Sequence, residues 1–114
     1  MLRGEVWLVR LEPTIGAEIG KTRPTVIVND DAVGILQLYV IVPITEWKER
    51  YTERDWIVRL EPSGENGLSK LSAADTFQVR WVSQERLIRQ MGTLSDTDMQ
   101  EITTALAIAL SINS

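Results

Sequence analysis

The chain has 114 residues, 44% hydrophobic and 25% charged, a balance that sustains one compact core without covalent staples. It contains no cysteine and no histidine, which removes disulfides, thiolate nucleophiles, the usual N/S zinc sites and any imidazole base. A net charge of -4 and a pI near 4.8 argue against general nucleic-acid binding, which favours a basic excess.

From the N-terminus, Arg3, Glu5 and Arg10 interrupt the first apolar stretch, so it reads neither as a signal peptide nor as a membrane anchor. A cytoplasmic protein without membrane contact is the expectation. Residues 6–9, 26–28 and 38–42 are β-branched or aromatic runs bounded by turn residues, and their continuous apolar character predicts strands covered on both faces. Residues 56–60 predict a fourth strand, followed by a dense turn signal at 62–67. In residues 77–81 the period is two, which predicts Phe77, Val79 and Trp81 on one face and Gln78 with Arg80 on the other. Trp7, Trp56 and Trp81 read as core residues from their apolar neighbours.

Ser95 followed by Asp96 and Asp98 predicts a helix start, with a hydroxyl for the first free N–H groups and acids at the positive end of the dipole. Met99, Ile102, Leu106, Ala109 and Leu110 then keep helical spacing. From Ser95 onward there are acids but no Lys or Arg, which leaves room for a cationic cleft elsewhere. About five short strands and one late helix favour a small, partly open antiparallel β-barrel over a sandwich, with residues 1–114 as a single domain.

Between the first two strands, residues 12–24 form a connection unusually long for a hairpin. Gly16 and Gly20 permit close approach of a ligand, and Pro24 biases Arg23 toward an extended shape at the threshold of the second strand. Taken singly, an arginine beside a proline is a solvated strand edge, a strand-end threonine is a β-former, and Gln78 with Arg80 is a solvent-facing strand side.

The order of motifs carries more. Arg3-Gly4-Glu5-Val6-Trp7, Gly16-Ala17-Glu18, Arg23-Pro24 before an apolar strand and Val42-Pro43-Ile44-Thr45 are followed by Gly67-Leu68, Ser72, Gln78-Val79-Arg80, Arg86-Leu87 and Gly92-Thr93-Leu94. This series resembles the MazF/PemK toxins over nearly the whole chain. The resemblance implies a mainly β fold, an SH3-like antiparallel β-barrel with a C-terminal α-helix. It also implies a homodimer, a cognate antitoxin, and sequence-selective cleavage of single-stranded RNA to 2′,3′-cyclic phosphate and 5′-hydroxyl ends. The family's catalytic arginine matches Arg23 and its catalytic threonine matches Thr45.

Those residue types suit RNA, which supplies its own 2′-hydroxyl nucleophile and needs neither metal nor cofactor. The permanently charged fork of Arg23 can grip phosphate oxygens, and the short hydroxyl of Thr45 can orient them. Glu18, Lys21, Trp47, Gln78 and Arg80 are the candidate RNA contacts, with Tyr51 beside Trp47 as a second aromatic for stacking. Phe77 stands where some relatives carry a carboxylate base, so Asp75 is the substitute to examine; Glu46 follows Thr45 where a small polar residue is common. Two other functions fit the same fold: an inactive binding module, or a gyrase-poisoning toxin. The latter relies on a C-terminal tryptophan, and none follows Trp81 here.

Overall fold

The computed structural model describes residues 1–112, apart from the side-chain environment at positions 34 and 35, so the last two positions of the expected domain lie outside the described residues. Seven strands are present among them: β1 (Glu5–Arg10), β2 (Thr22–Ile27), β3 (Leu38–Glu46), β4 (Ile57–Leu60), β5 (Ser72–Asp75), β6 (Arg80–Ser83) and β7 (Leu87–Thr93). They form one antiparallel sheet in the order β4-β5-β3-β2-β1-β7, with β6 paired to the first half of β3. No ladder joins β4 to β7, so the sheet is barrel-like without closing.

The alternation of a strand shows directly in the core. Val6, Val26, Val28, Val42 and Ile44 pack in one cluster with Val58, Leu60, Ile102 and Ala105, whereas Val9, Leu11, Ile27, Tyr39, Ile41 and Val82 form a second cluster. Successive residues of β1, β2 and β3 thus supply opposite faces, which explains the unbroken apolar runs. The helix α1 (Asp96–Ala109) covers the first face with Ile102 and Ala105 buried. Ser95 caps it as its sequence predicts, the Oγ accepting the Asp98 N–H at 3.1 Å.

Two strands had no sequence signal. β5 reads Ser-Ala-Ala-Asp and β7 Leu-Ile-Arg-Gln-Met-Gly-Thr, without a β-branched run or a period of two; pairing with β3 and β1, rather than intrinsic preference, makes them strands. The predicted strand over 77–81 is also corrected. β5 and β6 pair with successive parts of β3, interrupted by a 3₁₀ turn at Thr76–Gln78 that Asp75 caps through the Phe77 N–H. Phe77 therefore lies outside the ladder, 72% exposed. Trp81, expected in the core, pairs with Val40 and is 66% exposed, because alternation decides a side chain's face but not what covers it.

The 62–67 turn is locked onto β7 through glycine. Gly67 has φ 71°, and a Cβ there would stand 2.2 Å from the Met91 carbonyl oxygen, while a Cβ at Gly64 would meet open space. We expect Gly67→Ala to lower the unfolding free energy by more than about 1 kcal/mol and Gly64→Ala to shift it by less than about 0.5 kcal/mol, read by denaturant titration. Equal effects at the two positions would refute this account of the turn.

Candidate active site

The register between β2 and β3 builds the site. The last pair of that ladder is Thr25 with Pro43, and the same register carried two residues further sets Arg23 across from Thr45. Both lie on the rows of Ile27 and Ile41, the face away from α1. Val28 donates to Val40 at 2.9 Å, so bonded pairs recur at 26 with 42 and would recur at 24 with 44. Pro24 has no N–H to give there, and the ladder ends. Along this row the side chains pass from buried Ile27 through Thr25, whose Oγ1 donates to the Trp7 carbonyl at 3.1 Å, to half-buried Arg23.

Arg23 Nε donates to the Gly20 carbonyl at 3.3 Å. Among the described residues it has no carboxylate partner; the ion pairs are Arg59 with Glu61 at 3.4 Å and Lys70 with Glu46 at 3.5 Å. Arg23 and Thr45 together line two adjoining concavities. One, of about 460 Å³, lies under the 12–21 loop with Glu18, Gly20, Glu46, Lys48 and Tyr51; the other, of about 120 Å³, shares Glu46 and extends toward Ser69, Lys70 and Met91. Only the first reaches the roughly 300–1,000 Å³ typical of small-ligand clefts. Two comparably large hollows flank α1, but one is lined by Asp55, Glu61 and Glu101 against Arg59 alone, and the other by Glu61, Glu65 and Asp98 with no cation. In the Arg23 groove Arg23 and Lys48 offset Glu18 and Glu46, whereas both hollows beside α1 carry net negative charge, so charge rather than volume makes the groove the better place for an anion.

Of the five candidate RNA contacts, the groove contains Glu18, whose Oε1 accepts the Ile15 N–H at 2.6 Å. Lys21 is exposed, has φ 65°, and does not line either concavity. Trp47 packs edge-on to Tyr51 at 5.8 Å and lies under Arg59, and it is Tyr51, flanked by Arg50 and Arg54, that faces the groove. Gln78 and Arg80 do not present a shared free face. Gln78 bonds the backbone of Ala17 and Ile19, and Arg80 Nη1 donates to the Leu11 carbonyl at 3.1 Å. The sequence pattern missed Lys48 and Lys70 because neither position carries a periodic signal; Lys48 is brought in by the 3₁₀ turn at Glu49–Glu53 that follows it.

Asp75 lies outside both concavities and acts locally, its Oδ1 accepting the Phe77 N–H at 3.1 Å. Burial raises its pKa above the ordinary aspartate value, against the opposing pull of that hydrogen bond and of nearby Arg54.

Residues 2–110 match the family model described as PemK-like, MazF-like toxin of type II toxin-antitoxin system. The chain is 27% identical to Endoribonuclease MazF9 of Mycobacterium tuberculosis (strain ATCC 25618 / H37Rv) over 98% of each chain. Its fold is similar to that of a mycobacterial endoribonuclease solved in complex with its cognate antitoxin (TM-score 0.80, 23% identity, covering 100% of this chain and 98% of the other). It is likewise similar to MazF of Deinococcus radiodurans (TM-score 0.82, 18% identity, 98% and 97% covered).

The raised pKa of Asp75 gives a signed prediction. A carboxyl whose pKa is higher in the folded state favours folding while protonated, and that contribution is lost as pH rises through the folded value. Asp75→Asn keeps an acceptor for Phe77, so we expect its Tm to equal or exceed that of the parent protein at pH 7. The difference should shrink in acid, where Asp75 itself is neutral. A variant less stable than the parent at pH 7 would show that the charge is favourable where it stands.

Proposed function

Because the chain belongs to the PemK-like, MazF-like toxins of type II toxin–antitoxin systems, we propose that it is a cytoplasmic, metal-independent endoribonuclease that cuts single-stranded RNA at a short sequence motif. The observation that carries this reading is the opening of Arg23, free of any carboxylate partner among the described residues, and Thr45 onto one groove. In the reaction the 2′-oxygen bonds to the adjacent phosphorus and the bond to the 5′-oxygen breaks. A proton leaves the 2′-hydroxyl and one is delivered to the 5′-oxygen, which gives a 2′,3′-cyclic phosphate and a 5′-hydroxyl.

Arg23 meets the charge that grows on the phosphorane oxygens, and its fork can hold two of them. The Thr45 hydroxyl donates to an oxygen of the same phosphate and orients it for in-line attack. Glu18 on the loop accepts from base amino groups, and Lys48 with the Tyr51 edge guides the strand along the groove. The whole of residues 1–114 acts as one toxin domain, assembled as a homodimer. A cognate antitoxin lays an acidic and apolar segment into the same groove, so inhibition is competition for one surface.

Two measurements test this. In EDTA the purified protein should cut long single-stranded RNA, Arg23→Ala should slow cleavage by about 10²-fold or more, and Thr45→Val by about tenfold or more. Intact RNA, or an Arg23→Ala variant as fast as its parent, would end the nuclease assignment. The antitoxin encoded beside the toxin should both stop cleavage and displace labelled, non-cleavable RNA; a ternary complex of toxin, antitoxin and RNA would rule out a shared surface.

A further inference from the structure

The loop that roofs the groove has little to hold it. Within it, Glu18 N–H donates to the Ile15 carbonyl at 3.3 Å and Glu18 Oε1 accepts the Ile15 N–H, contacts that shape the tip without tying it to the body. The stem is fixed by Arg80 on the Leu11 carbonyl and by Arg86 on the carbonyls of Arg10 and Glu12. Among the described residues, the hydrogen bonds from residues 14–19 to the rest of the chain are those of Gln78: Nε2 donates to the Ala17 carbonyl at 3.0 Å and Oε1 accepts the Ile19 N–H at 2.9 Å. The Ile19 side chain packs against the second core cluster, and the next residue, Gly20, offers the carbonyl that receives Arg23 Nε.

We propose that Gln78 is a positioning residue for Arg23, acting through loop residues 17–20 rather than by touching RNA. The amide is suited to it, since one planar group donates at one end and accepts at the other. Both ends are committed to the loop, so base reading by Gln78 would first require the loop to detach. The path is short: Gln78 fixes Ile19, the chain carries that placement one residue to Gly20, and Gly20 sets the orientation of the guanidinium. The proposal rests on the nuclease reading only for its kinetic consequences; the latch itself is a property of the RNA-free protein.

The experiment compares Gln78→Leu, which removes both bonds, and Gln78→Glu, which keeps the acceptor for Ile19 but sets an oxygen against the Ala17 carbonyl. In RNA-free protein, amide exchange at Ile19 should quicken by about tenfold or more in Gln78→Leu and less in Gln78→Glu, while exchange in α1 is unchanged. The Arg23 Nε–H resonance should broaden or move in the same order. With RNA, kcat should fall more than KM rises, and the cleavage motif should stay the same. Unchanged loop exchange with an altered motif would overturn the proposal in favour of direct base contact, and unchanged exchange with unchanged kinetics would overturn it outright. If the parent protein cuts no RNA yet the exchange and Arg23 signals respond as expected, the nuclease reading fails and the latch stands.

Discussion

One register, Thr25 against Pro43, governs what this sheet can do. Because side chains alternate, it assigns Val26 and Val42 to the helix-covered cluster and Ile27 and Ile41 to the other, and it sends Arg23 and Thr45 out along the second face. A slip of one residue in β2 would turn the Arg23 position toward the helix-covered face and exchange the Val and Ile rows between two clusters packed for other shapes. The two side chains are thus held in place by core packing that lies mostly behind them. Pro24 then removes the donor that would zip the strands further, and leaves the two side chains at the rim of a groove rather than inside a ladder.

The same partition reconciles an acidic protein with an anionic ligand. Acids gather around α1 and the hollows beside it, where Glu61, Glu101 and Asp98 dominate. At the groove Arg23 and Lys48 offset Glu18 and Glu46, and Arg50 with Arg54 on the Tyr51 ring behind it tips the local balance to positive. Over distances near the Debye length, about 8–10 Å at physiological salt, local charge outweighs net charge. The acidic side repels RNA and leaves one productive approach, which favours selective capture over coating of a polyanion.

Much of this was legible in the sequence, for reasons particular to each element. Residues 6–9, 26–28 and 38–42 announced two-sided strands because both faces are filled, and Ser95 announced the helix because its hydroxyl does the capping. Arg23 and Thr45 were named from the order of motifs along the chain, and they lie together because β2 and β3 are neighbours. What failed was whatever depends on partners distant in sequence. β5 and β7 lack strand-forming composition, and Trp81 has core-like neighbours but no cover. Trp47 and Tyr51 were indistinguishable until the 3₁₀ turn at Glu49–Glu53 brought Tyr51 to the groove and packed Trp47 on Tyr51 and Arg59.

The 3₁₀ turn at Thr76–Gln78 looks like a fault in an otherwise continuous edge, but it is the feature that gives Gln78 its aim. Had β5 run straight into β6, position 78 would have been one more rung along β3, its side chain committed to a face of the sheet. The break is itself well supported: Asp75 caps it, Thr76 is buried with its hydroxyl on the Trp56 carbonyl, and Val79 returns to the core. Ordering a long loop costs roughly 1–2 kcal/mol per residue in backbone entropy, and the proposed pairing of one guanidinium with one hydroxyl would tolerate little positional error. A half-exposed carboxylate held at a cost in solvation and a strand interrupted for three residues are reasonable concessions if they hold the wall on which that guanidinium rests.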